Sequence, residues 1–347
     1  MKRSYILIVL FAVVIMTSIS GCSKSFDSSE YKEYLADGGD PDIVLLTAID
    51  ECDTGMAEAA IKSGASINKF GPGISDDVGR TYSSDVPLRV ALGRGSQAAD
   101  IVELLIRGGA DVDYMDDEEY ETNLMFCSRD ADIALVNILL QNGASVDTVN
   151  KNGQTALSLA ASGETHDDEI TEALVQLLLE HDAEVTTKAV GNVFNGGYYA
   201  GCTQYRLAGI LMRKAEEQGN FRKIKIDDHL KAAFTGKNDV LIPYLKGKNN
   251  FDEKEFRVVL ACAAADDTEA VREYLKNNDI DHASRDGVTM LMAAASCGAG
   301  NVVDLLIKEG ADLYKLDKDG NSAAVKAQEY RKYGIFEKIK NSEGKSR

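Results

Sequence analysis

Tryptophan is absent from the 347-residue chain, and proline and histidine occur four times each. Scarce proline leaves long stretches free to be helical, because one proline in a helix interior costs about 3 kcal/mol. Abundant Ala, Leu and Asp point the same way, to helices joined by polar turns. The histidines, His166, His181, His229 and His282, are isolated. None forms H-E-x-x-H or a pair at helical spacing, so zinc sites and His-dependent triads lack the residues they need. There is no G-x-S-x-G elbow, "GKND" at 236 to 239 lacks the glycine-rich run of a phosphate loop, and Gly196-Gly197 does not make a dinucleotide fingerprint. "LDKDGN" at 316 to 321 lacks the alternating ligands and closing glutamate of a calcium loop. The clusters Asp116 to Glu119 and Asp167 to Glu169 read as solvated acidic loops. No catalytic residue, cofactor or metal is expected.

Positive charge is also short: 38 Lys and Arg face 56 Asp and Glu, a formal charge of -18. Such a chain repels nucleic acid and anionic membrane surfaces, and suits a basic or neutral protein partner. The exception is a local run, Arg206, Arg213, Lys214, Arg222, Lys223 and Lys225, beside Phe194, Tyr198, Tyr199 and Tyr205. It reads either as a docking site for an acidic or aromatic-binding partner or as the residue of a decayed repeat.

Long apolar runs are missing too. The longest, Ile6 to Met16, has eleven residues, whereas a spanning helix needs about 20. Lys2 and Arg3 precede it and small residues follow, which is a secretory signal layout. The next four residues of note, Ile19-Ser20-Gly21-Cys22, resemble the bacterial lipobox. That resemblance implies a lipoprotein signal peptide over 1–21 and Cys22 as the lipid attachment site. It also implies a tether over 22–29 and a location in the cell envelope on the membrane through the lipid alone. Ser23 in place of Asp favours the outer membrane. Removing Lys2 and Arg3 with the signal takes the charge from -18 to -20.

Internal repetition dominates the rest. "VELLIRGGADVDYMD" at 102 to 116 returns as "NILLQNGASVDTVN" at 137 to 150 and as "VDLLIKEGADLYKLD" at 303 to 317. Aligned on the residue before alanine, the anchors are Gly64, Gly109, Gly143, Asp182 and Gly310, with Lys248 and Asn278 as degenerate members and one more unit anchored near Ala215. The companion strings are "NKNGQTALSLAA" at 150 to 161, "SRDGVTMLMAAA" at 284 to 295, "DKDGNSAAVKA" at 317 to 327 and "VPLRVAL" at 86 to 92. With a period near 33 residues, these resemble the ankyrin repeat. The resemblance implies an all-α ankyrin-repeat solenoid of helix-turn-helix units with protruding turns. About eight repeats plus caps are expected over 30–340, degenerate at 187–226, with a disordered tail at 341–347. The insertion at 69–85 lengthens one turn.

The repeat also assigns residues. Cys127 and Cys262 fall in the small, buried column that Ala294 fills, and read as core side chains. Cys52, Cys202 and Cys297 lie near inter-helix turns; a Cys262–Cys297 bridge requires close alpha carbons. Ankyrin arrays bind through turn tips and the first-helix face, so the resemblance nominates the tip residues Tyr114, Met115, Asp117, Thr148, Lys151, Tyr314, Lys315 and Lys318, together with Tyr198, Tyr199 and Tyr205, for a protein partner. The chain is expected to be a monomeric, noncatalytic scaffold. The alternatives are an immunity or inhibitor lipoprotein that neutralises a toxin or envelope enzyme, and a purely structural envelope component.

Overall fold

A computed structural model of the protein describes residues 30–69, 86–162, 168–195 and 203–343. The signal-like segment, Cys22, the insertion at 70–85, Tyr198, Tyr199 and Cys202 lie outside the described residues. Nineteen α-helices and two short 3-10 turns occur among the described residues, with β-pairing limited to two isolated bridges, Met115 with Thr122 and Ala283 with Thr289.

The chain divides into two compact units, one ending at Gly153 and the other starting at Gln154. The first unit opens with α1 (Glu30–Ala36) and continues as three helix pairs. These are α2 (Pro41–Glu51) with α3 (Thr54–Lys62), α4 (Pro87–Leu92) with α5 (Ala99–Arg107), and α6 (Asn123–Arg129) with α7 (Ile133–Gln141). The second unit holds six pairs. They are α8 (Ala156–Ala160) with α9 (Asp168–Glu180), α10 (Thr187–Asn195) with α11 (Thr203–Glu217), and α12 (Asp228–Thr235) with α13 (Asn238–Leu245). Then come α14 (Glu253–Ala264) with α15 (Thr268–Leu275), α16 (Met290–Cys297) with α17 (Gly300–Lys308), and α18 (Ala323–Glu329) with α19 (Tyr333–Glu343). The last helix runs to Glu343, and the rest of the expected tail, 344–347, lies outside the described residues.

The repeated sequence words set these boundaries. Four leading helices start on a hydroxyl side chain that accepts an amide hydrogen bond: Thr122 from Met125, Thr155 from Ser158, Thr289 from Met292 and Ser322 from Val325; α4 has Val86 there and no side-chain cap. Three trailing helices start on Asp: Asp53, Asp132 and Asp267 cap α3, α7 and α15, whereas α5, α13 and α17 have no side-chain cap. Such caps satisfy donors that the helix cannot, for about 1 kcal/mol each. Trailing helices end where the residue before alanine turns left-handed, at Gly64, Gly109, Gly143, Asp182 and Gly310. The following amide then reaches back to a carbonyl five residues earlier, as Ala110 does to Leu105 and Ala311 to Leu306.

That geometry corrects two anchors. The same bond runs from the Asn220 amide to the Ala215 carbonyl, and Gly219 is the left-handed residue. Asn220 therefore stands where other repeats have alanine, and Ala215 is the buried helical residue that accepts the bond. Lys248 shifts likewise, since Gly247 holds the positive φ.

Trailing helices such as α5 bury one face, whereas the leading helices α8 and α16 are buried nearly all round. In α5, Ile101, Val102 and Leu105 are fully buried, each worth about 1.5–3 kcal/mol relative to exposure. Ala293 to Ala295 are also fully buried, and their small size lets α14 and α18 close on α16. Cys127 and Cys262 are 1% exposed and occupy the core as read from the repeat. Cys52, Cys127, Cys262 and Cys297 are all free, so no Cys262–Cys297 bridge forms.

In the second unit the stack has a dislocation. Leading helices pack on one another from α8 to α10, and again through α12, α14, α16 and α18, but α10 and α12 do not pack closely. Trailing helices break at the same step: α11 misses α13 and lies instead against α12, α14 and α16. Repeat arrays ordinarily touch only their neighbours. Here Arg206 of α11 pairs with Glu172 of α9 and lies 4.3 Å over the ring of Tyr330, past the end of α18. Gly209 lies at the α11–α12 crossing, where a Cβ would meet Arg213 at 3.5 Å and Phe234 at 3.7 Å, ordinary van der Waals contacts.

Candidate protein-interaction site

The turn tips differ from one another in a way that singles out the one between α5 and α6. Three tips share a plan: a polar residue accepts an amide bond from the residues that follow, a glycine three positions on takes positive φ, and a capping hydroxyl comes two residues later. Asn150 accepts from the Asn152 amide at 3.0 Å, with Gly153 at φ 65°. Asp317 accepts from Asp319 and Asn321, with Gly320 at φ 81°. Ser284 accepts from Val288, with Gly287 at φ 78°.

The tip beginning at Asp116 has one residue more before its capping threonine, and no glycine. Its carboxylate accepts three amide bonds, from Glu118 at 3.1 Å, Glu119 at 2.7 Å and Glu121 at 3.2 Å. Arg89 of α4 donates to it at 2.9 Å and also to the carbonyls of Glu121 and Thr122. Burial pushes the Asp116 carboxyl up, but the three amides and Arg89 outweigh it and hold the pKa below the ordinary value. Below the tip, Phe126 lies under both Arg89 and Arg129, at 4.5 and 5.5 Å, while Arg129 grips the buried Glu121 carboxylate at 2.7 and 2.8 Å.

Tyr120 takes the left-handed place, at φ 55°, and is 51% exposed. A non-glycine residue there costs about 1–2 kcal/mol. Met115 at 36% and Val149 of the next tip at 56% are exposed beside acidic side chains, with Asp117 also exposed. The arrangement offers apolar contact area inside a negative field.

The nominated residues separate accordingly. Met115 and Asp117 are exposed at this tip, and Tyr114 is half-buried, its backbone engaged by Asp111 and Asn123. Thr148 is half-buried on the next tip. The tip lysines are tied into the stack: Lys151 bonds the Glu118 carbonyl and the Glu119 carboxylate, Lys315 bonds the Asp281 carbonyl, and Lys318 bonds Asp286 at 3.0 Å. Tyr314 is 52% exposed in the second unit, next to Leu316 at 56%. Tyr205 corrects the expectation of a surface contact: it is 2% exposed because α11 turns it inward, edge-on to Phe194 at 6.4 Å. Tyr120, Val149 and Leu316 were not nominated. The signal for Tyr120 was present, a missing glycine in a turn one residue too long.

Among the described residues, burial holds the thiols of Cys127, Cys262 and Cys297 in the protonated form. Burial raises the pKa of Cys127 and Cys262, and that of Cys297 to about 11, against the lowering pull of Ser296, Arg206 and Lys332. Among the described residues no group of His, Cys, Asp and Glu is placed to hold a metal ion, and no helix is long and apolar enough to cross a membrane.

Stacked helix pairs with projecting tips define a repeat scaffold. A family model described as ankyrin repeats in three copies matches residues 88–189 and 230–344, more than half of the chain, and the protein belongs to the ankyrin-repeat family. Ankyrin repeats are protein-interaction scaffolds and typically carry no catalysis.

Proposed function

We propose that the protein is a noncatalytic scaffold of the bacterial cell envelope, lipid-tethered through Cys22, that docks a basic protein on the tip at residues 115–120. Tyr120 carries this reading: an aromatic side chain held in the open, in a strained backbone position that glycine fills in the other three tips compared above. Strain of this sort persists where something other than stability retains it. Tyrosine and methionine are enriched at interface centres, and the surrounding carboxylates would steer a cationic partner and sharpen its salt dependence. The lipid tether rests on the basic start, the short apolar run and the Ile-Ser-Gly-Cys sequence.

Tyr120→Gly separates fold from function. It removes strain and contact together, so chemical denaturation should show stability equal to the native chain or raised by about 0.5–1 kcal/mol, while affinity for the partner falls about tenfold or more. A variant that is destabilised, or that binds as before, refutes the tip as the docking site.

A further inference from the structure

The dislocation in the second unit opens a groove of about 890 Å³, bounded by α10, α12 and α14. Its volume is in the range of ligand sites. The turns at its rim remain joined, because the Lys225 amide donates to the Thr187 hydroxyl at 2.9 Å, while the bodies of α10 and α12 stand apart. The opening is thus a gap where one leading helix fails to pack on the next.

The polar lining is unequal in its commitments. All three carboxylates are already bonded within the fold. Asp227 caps α12, accepting from the His229 and Leu230 amides at 3.0 and 3.1 Å. Asp252 caps α14 through the Glu255 amide at 2.8 Å. Glu255 accepts from the Asp252 amide and pairs with Lys248, which lowers its pKa. The cations Lys225, Lys254 and Arg257, by contrast, have no carboxylate partner among the described residues. The floor is apolar and aromatic: Phe194, Leu230, Val258, and Tyr244 stacked on His229 at 3.9 Å.

We infer that this groove is a second docking site, of opposite polarity to the tip, and that it takes an extended acidic segment of a partner protein carrying aliphatic or aromatic side chains. Charge complementarity selects that occupant. In a chain of net charge -18, cations outnumber carboxylates around this opening, Lys188, Lys225, Lys254 and Arg257 against Asp227, Asp252 and the Lys248-paired Glu255. That local excess is matched by carboxylates brought from outside, and the apolar floor by alternate side chains of an extended peptide. The groove does not depend on the tip at Tyr120, so either proposal can fail alone.

The test is fluorescence anisotropy with the full chain and a labelled synthetic peptide of alternating Glu and Leu or Phe residues. A basic peptide of equal length serves as control. The expected result is saturable binding of the acidic probe that weakens at high salt. It should fall about tenfold or more in the double charge reversal Lys225→Glu/Arg257→Glu, with unchanged helicity, and stay unchanged in Tyr120→Gly. No saturable binding, or equal binding by the charge-reversed chain, overturns the inference. Binding of free N-acetylglutamate as tight as that of the peptide also overturns it, because the site would then recognise a small anion.

Discussion

Two glycines with positive φ show how differently the same substitution acts on this chain. Gly310 ends α17 at φ 91° with nothing within 4 Å of a Cβ placed there. Gly310→Ala should therefore cost only the left-handed strain, about 1 kcal/mol. Gly287 sits at φ 78° against the next tip, where a Cβ would come 2.9 Å from the Asp317 Cα. Gly287→Ala must add backbone displacement to strain, and denaturation should register a loss of about 2–4 kcal/mol. Equal losses would mean that consecutive tips are not in contact as described. Asp116 gives a pH-dependent counterpart. Its folded pKa is held down, so its stabilising contribution is present above the unfolded value near 3.9 and is lost as pH falls through the lower folded value. Asp116→Asn should flatten the stability–pH curve in that acidic window and leave its shape above about pH 6 unaltered. An unchanged curve would show that the turn does not rely on the carboxylate.

At the scale of helices, α11 is where neighbour-only packing fails. Its Arg206 connects α9 to the segment after α18 by one ion pair and one stacked ring. A double-mutant cycle of Arg206→Ala with Tyr330→Ala should give a coupling of about 1 kcal/mol. Effects that add within about 0.5 kcal/mol would place the two residues in independent repeats. The helix pairs were legible in advance because Thr and Ser caps, Leu pairs and terminal glycines recur at fixed spacing. The dislocation was not. The degenerate stretch 187–226 marks the place, but a missing α10–α12 contact cannot be read from it, and the side on which Tyr205 lies is settled only when α11 is seen to bury it. The basic run divides for the same reason: Arg206 is committed to Glu172, Lys223 faces Glu184 at 4.0 Å, and Lys225 turns to the groove. Tip lysines were legible as exposed positions, but their bonds to adjoining tips depend on how consecutive turns lie side by side.

For the molecule as a whole, the acidic excess belongs to association more than to folding. Carboxylates cluster at the tip of the first unit, and uncommitted cations ring the groove of the second, so the two surfaces select partners of opposite charge. The tether is tested separately: Cys22→Ala should move the protein from the membrane fraction to the soluble one, and unchanged fractionation would remove the lipid anchor from the proposal. The central claim is that the strained tip docks a basic partner. It is met most directly by parallel affinity captures from envelope extract with the tagged full chain and with Tyr120→Gly, at low and high salt, identified by mass spectrometry. The account predicts a basic protein held by the native chain at low salt, released at high salt and missing from the variant. Recovery of the same proteins on both baits, or of none on either, would contradict it.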